Sequence, residues 1–173
     1  MTCSGLILTT YSTWANPAWM KDVKFDFGNI AVGVLLAAAL WVVFWLGEFF
    51  STLLFDFARP QVDMIYGMKE GENPWVLTAL MLFIIGPAEE IFWRGYLQKN
   101  FTERWNPDVA FAVTTLMYSL VHISKFNFML IMAAMVAGIV WGLAYRFFPE
   151  KLGAIIISHA LWDCAVFIWF PIM

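Results

Sequence analysis

Residues 74–99 read PWVLTALMLFIIGPAEEIFWRGYLQK, an apolar run that closes on two adjacent carboxylates and an arginine. At 1.5 Å per residue the run is about 39 Å long as a helix, enough to cross a hydrocarbon core of about 30 Å. Asn73, just ahead of it, has the side chain of an N-cap. Pro74 suits the first helical position, where its missing N–H would have had no intrahelical partner. Pro87 falls inside the run. It removes one backbone donor and frees the Phe83 carbonyl, so the helix is expected to kink or loosen just before the carboxylates. Charge at the bilayer centre costs at least about 2.5 kcal/mol per residue on insertion scales, so Glu89, Glu90 and Arg94 each need a partner or a purpose.

The remainder of the chain points to the same solvent. Of 173 residues, 62% are hydrophobic, 18% aromatic and only 13% charged, and the mean hydropathy is +0.73. That is a polytopic membrane protein, with room for about five spans of about 20 residues and short loops, and so one integral membrane domain over residues 1–173. The net charge of -3 is spread without a like-charged block, which excludes a nucleic-acid surface. Cys3 and Cys164 lie too far apart in sequence to suggest a disulfide framework. No basic residue precedes Lys21, and the GLIL stretch is too short for a signal-peptide core, so insertion is expected to rest on the spans themselves.

Working outward from 74–99, aromatics and lysines mix over the first 28 residues in the manner of an interfacial lead-in. A first span follows from Asn29 to about Phe57, with Pro60 marking its end, and the polar residues 58–73 are expected to form the longest internal loop. Asn106 and Pro107 repeat the cap-and-proline start for a third span reaching about Ile123. SKFN makes a tight connection to a fourth span closed by Pro149, and a fifth is closed by Pro171. Lipid permits only helices or closed barrels, and these runs are too long for barrel strands. The expected fold is all-α, a polytopic transmembrane helical bundle of about five spans with an interfacial N-terminal segment. Lys21, Lys24, Lys99, Arg104, Arg146 and Lys151 fall on one side, and Arg59, Lys69 and Lys125 on the other. The excess predicts a multi-pass protein of the cell membrane with its N-terminus cytoplasmic.

Few ionisable groups lie inside the spans. Glu90 and Arg94 are four residues apart, so opposite charges stack on one helix face and a structural ion pair accounts for both. It does not account for Glu89, which points about 100° away around the helix. Adjacent like charges in low dielectric raise the proton affinity of one of them, a condition for a general base. The two histidines, His122 and His159, both fall inside spans, and His159 and Asp163 share a face of the fifth span four residues apart. Glu89, His159 and His122 are expected at depths spread over about 12 Å, which tilt and the Pro87 kink can absorb. Ala134, Gly138 and Gly142 place small residues on one face of the fourth span, for close packing within the bundle or a homodimer contact. Trp75 and Trp105 read as interfacial anchors, Glu48 as a polar contact to the bundle interior, and Cys164 as a packing residue.

These residues together resemble the CAAX-protease and bacteriocin-processing (CPBP) family of intramembrane glutamic endopeptidases. EEIFWRGYL matches a first motif of two glutamates, three residues and an arginine, YSLVH matches an aromatic followed by histidine, and HALWD matches histidine followed by asparagine or aspartate. The ordered set covers about residues 75–170. Tyr118 stands where phenylalanine is usual and Asp163 where asparagine is common. The resemblance implies that Glu89 is the general base on a water molecule and that His122 shares that work. It further implies that His159 and the residue at 163 stabilise the oxyanion, with Glu90 and Arg94 in support. An asparagine amide would donate to an oxyanion directly, whereas ionised Asp163 can act only through His159.

The expected function is cleavage of a peptide or protein at the membrane without a cofactor or metal. A prenylated C-terminal tail, a bacteriocin leader and a sorting helix are all compatible substrates, and the short chain favours a bacterial or archaeal processing or immunity role. Two rivals stand beside it. One is a zinc-dependent membrane protease using Glu89, His122 and His159, although the chain has no HExxH. The other is a non-catalytic membrane immunity or scaffold protein that keeps the polar cluster for structure.

Overall fold

In the computed structural model, which describes residues 2–172, the chain is helical and no strand occurs among the described residues. We number the helices α1 (Thr2–Ala15), α2 (Phe27–Leu54), α3 (Ala58–Gly67), α4 (Pro74–Arg104), α5 (Pro107–Leu120), α6 (Phe128–Phe147) and α7 (Pro149–Trp169). Four of these, α2, α4, α6 and α7, are long and apolar enough to cross a membrane. At 14 residues, α5 is about 21 Å long, and the 3-10 turn Val121–Lys125 that continues it adds about 10 Å. Together they make the fifth crossing of an all-α bundle.

The caps sit where the sequence puts them. The Asn73 side chain accepts from the backbone N–H of Trp75 at 2.9 Å, and Asn106 accepts from those of Asp108 and Val109 at 3.0 and 2.9 Å. In the SKFN connection Phe126 turns the chain at φ 49, and Asn127 accepts from Leu130 N–H at 2.9 Å to start α6.

Two expectations around residues 54–73 need correction. The first span ends at Leu54 rather than at Pro60, with Phe55 in extended backbone. Pro60 lies in the first turn of α3, where a missing N–H does no harm. Most of the segment read as a loop is therefore helix. Ala58, Val62 and Tyr66 recur every four residues and are all buried, which gives α3 one apolar face despite its polar composition. This helix braces the bundle end. Its Gln61 carbonyl accepts from the Asn127 amide at 2.8 Å, and the Tyr66 hydroxyl donates to the Val166 carbonyl at 3.0 Å while accepting from Ile172 N–H at 2.9 Å. The Lys69 ammonium bonds the Phe167 carbonyl. Glu48 does not turn into the bundle; it meets Arg59 of α3 at 3.2 Å.

The N-terminal segment is more ordered than a lead-in requires. Gly5 lies against Ala88, the Tyr11 and Tyr96 rings meet edge to face at 5.5 Å, and the Asn16 amide donates to the Asn100 side chain at 3.0 Å. The paired numbers rise together, so α1 runs parallel to α4 along half its length. At the same bundle end Lys99 pairs with Asp22 at 2.5 Å and Arg146 with Asp108 at 2.5 Å.

The core is assembled where small residues let backbones approach. A Cβ on Gly33 would come within 2.7 Å of the Ala154 carbonyl, and one on Gly86 within 2.8 Å of the Ala160 Cα, so α2 and α4 both pack closely on α7. Trp141, Leu152, Leu40 and Ile155 fill the space between. Outside, Leu35, Leu53 and Phe83 are 69%, 70% and 76% exposed. An apolar surface of that extent requires lipid around it.

Candidate active site

Pro87 is accommodated without a break in α4. The hydrogen-bond ladder widens to i→i−5 over Met81–Ile85, with Gly86 N–H reaching the Met81 carbonyl, returns to α-helix over Gly86–Glu90, and widens again over Ile91–Gln98. Wide turns of this kind absorb the missing donor and rotate the side chains that follow, and they are frequent at functional sites. They leave Glu89 and Glu90 midway along a helix of 31 residues.

Glu90 and Arg94 pair as their spacing requires, Arg94 Nη1 donating to Glu90 Oε1 at 2.7 Å with neither side chain exposed. The pair extends across to α7. His159 Nδ1 lies 2.6 Å from the same Oε1, and His159 Nε2 lies 3.5 Å from Asp163 Oδ2. The result is one connected line, Arg94–Glu90–His159–Asp163, built from two i,i+4 pairs on two helices. The close approach at Gly86 and Ala160 is what brings the helices within reach. An imidazolium can donate to both carboxylates at once; with a neutral ring one of those two contacts loses its proton.

Other elements complete the surround. Arg94 Nη2 reaches the Gly138 carbonyl at 3.4 Å, and Gln98 Nε2 donates to that of Gly142 at 2.9 Å, so successive turns of α4 are tied to the small-residue face of α6. The same two glycines pack on Thr115, Tyr118 and Phe111 of α5. The face read as either packing or dimer contact is thus occupied within the chain. The Tyr118 ring lies under the Arg94 guanidinium at 4.7 Å and has Glu89, Glu90 and Asp163 as its charged neighbours.

Glu89 remains apart. It is half-buried, is surrounded by His159, Asp163, Glu90 and Arg94, and has no hydrogen-bond or ion-pair partner among the described residues. His122 is not drawn into the line. It sits in the 3-10 turn one step beyond Tyr118, with Nδ1 3.1 Å from the Tyr118 carbonyl and Lys125 as its charged neighbour. If Nδ1–H donates to that carbonyl, Nε2 is left as an acceptor. The Tyr118 and His122 rings are 6.0 Å apart, edge to face.

Sequence reasoning missed two of these participants. Gln98 continues the Glu90, Arg94 stripe at the next i+4 position, a signal that was available. Trp141, stacked on His159 at 4.0 Å, carries no sequence signal, since a tryptophan in an apolar span looks like any other core residue. Among the described residues, no three His, Cys, Asp or Glu side chains are grouped so that they could hold a metal ion.

A family model described as type II CAAX prenyl endopeptidase, Rce1-like, matches residues 71–165. The match takes in Glu89, Glu90, Arg94, His122, His159 and Asp163. No curated protein and no solved structure matches the chain.

Proposed function

The chain belongs to the Rce1-like, type II CAAX prenyl endopeptidase family, a family of membrane proteases, and from that premise we propose that it is an intramembrane glutamic endopeptidase with Glu89 as its general base. The observation that carries the proposal is the division of labour between the adjacent glutamates. Glu90 is committed to Arg94 and His159, whereas Glu89 keeps both carboxylate oxygens free of partners among the described residues, at the edge of the same cluster. A base must be free to take a proton from water, and a glutamate already engaged by Arg94 and His159 is not.

In this scheme Glu89 deprotonates a water that attacks the scissile carbonyl. His122 is assigned a share in that work through Nε2, the ring nitrogen that does not face the Tyr118 carbonyl. His159 faces the developing oxyanion. Its Nδ1 contact with Glu90 is short and its Nε2 contact with Asp163 is long, so the Nε2 side is the one a substrate oxygen can compete for. Asp163 acts through His159, holding the ring as a donor, and so replaces by an indirect route what an asparagine amide would do directly.

The substrate class proposed is a protein tail whose prenylated cysteine anchors it in the bilayer, with the bond after that cysteine delivered to the depth of Glu89. The excess of basic residues places the end carrying Lys99, Arg104, Arg146 and Lys151 in the cytoplasm of the proposed topology. The test is release of the terminal tripeptide from a farnesylated CAAX peptide by the purified protein in nanodiscs, with a strong chelator present. Turnover that persists in chelator and falls when the farnesyl group is omitted supports the proposal. Turnover abolished by chelator and restored by zinc would overturn the glutamic mechanism.

A further inference from the structure

His159 is held at two points, Nδ1 by Glu90 at 2.6 Å and Nε2 by Asp163 at 3.5 Å. The ring turns about its Cβ–Cγ bond, and of the two contacts that oppose the turn the one to Asp163 is long. A turn re-aims both N–H vectors, and a contact on the face of the ring resists it.

Trp141 supplies one. Its ring lies 4.0 Å from that of His159 at an interplanar angle of 15°, and it has no exposure to solvent. The indole is itself pinned. Its Nε1–H donates to Ser158 Oγ at 3.1 Å, and Ser158 is the chain neighbour of His159. Trp162 packs edge-on against it at 5.7 Å and 80°, and the Arg94 guanidinium lies 5.7 Å from its ring. An indole face also attracts a cationic ring.

We propose that Trp141 is a positioning residue: by stacking on His159, with Ser158 anchoring the indole, it fixes the imidazole plane in which Glu90 and Asp163 are met and from which a substrate oxygen is addressed. This assigns a part in the site to α6, a spanning helix that none of the three recognised motifs includes. The inference rests on the endopeptidase reading, and its test has one arm that does not.

The first arm is NMR of the protein in nanodiscs with ¹³Cε1-labelled histidine. The chain has 2 histidines, so two ring signals are expected, assigned with His122→Asn. The His159 Hε1 signal is expected upfield of that of His122, through the ring current of the stacked indole. Trp141→Leu should return it downfield, and Trp141→Phe, which keeps an aromatic face, should retain most of the displacement. The second arm is cleavage of the farnesylated CAAX peptide. Trp141→Leu should lower kcat by about 100-fold, the scale of a 1 Å misplacement, with KM within about twofold, and Trp141→Phe should recover most of that loss. Ser158→Ala should lie between the two in both arms, and it serves if Trp141→Leu does not fold. A His159 signal unmoved by Trp141→Leu, or by Ser158→Ala where that variant must serve, would overturn the proposal. So would equal losses of kcat in Trp141→Leu and Trp141→Phe. Failure of wild-type cleavage with the NMR changes present would instead count against the endopeptidase reading and leave the stacking role standing.

Discussion

Glu90 and Arg94 illustrate how a charged pair is tolerated in a membrane interior. Each is fully buried, and each keeps one polar atom without a hydrogen-bond partner among the described residues, Glu90 Oε2 and Arg94 Nε. Removing Arg94 leaves the buried Glu90 with His159 alone, and breaking a buried pair typically costs about 3–5 kcal/mol. Arg94→Met should therefore lower the thermal unfolding midpoint in detergent markedly, and the double variant Glu90→Gln/Arg94→Met should recover part of the loss. Additive losses would show that the pair is not a unit. Spacing made this pair, and the His159–Asp163 pair, legible in the sequence. The bond from Glu90 to His159 was not legible, because no spacing rule connects residues 69 positions apart on different helices.

At the scale of elements, the site depends on how closely α4 and α7 approach. A methyl group on Gly86 would press on the backbone of Ala160, at 2.8 Å from its Cα and 2.9 Å from its N. Neither atom can move as a side chain would. Gly86→Ala should cost roughly 1–3 kcal/mol, in the range of overpacked cores, and weaken the Glu90–His159 contact, read as a loss of kcat alongside a lower unfolding midpoint. At the far end of α7, Tyr66→Phe would leave the Val166 carbonyl and Ile172 N–H unpaired, a loss of about 1–3 kcal/mol. The five crossings and their caps could be read from proline and asparagine positions, which act locally. The helix α3 was misread because Arg59, Gln61 and Asp63 equal in number the three positions that bury it, while Pro60 and Gly67 read as loop residues. The course of α1 was hidden because its partner, α4, lies some 80 residues away.

For the whole molecule, the two ends of the bundle must face opposite compartments. In a cysteine-free background, a cysteine at Glu150 should react with a membrane-impermeant maleimide only from the cytoplasmic side, and one at Glu70 only from the other; labelling of both from one side would exclude the five-span topology. Stability should also carry an acid-dependent part from the mouth of α2. There the Asn29 backbone N–H, with its side-chain amide, holds the exposed Asp26 carboxyl below the usual carboxylate range. Its folded-state proton affinity is the lower one, so its contribution is full above the ordinary carboxylate pKa and disappears as pH falls through the depressed value. Asp26→Ala should unfold earlier than the parent at neutral pH and no earlier once both are well below that range. A difference that persists unchanged in acid would show that the cap acts by something other than charge.

Glu89, free of partners among the described residues beside a committed Glu90, is proposed as the base of an intramembrane protease. The most direct measurement is the rate at which purified Glu89→Gln releases the tripeptide from a farnesylated CAAX peptide, taken with its unfolding midpoint. We expect a loss of about 10²–10⁴-fold in kcat with the midpoint near that of the parent, since Glu89 holds no ion pair among the described residues; undiminished turnover by a folded Glu89→Gln would rule out its role as the base.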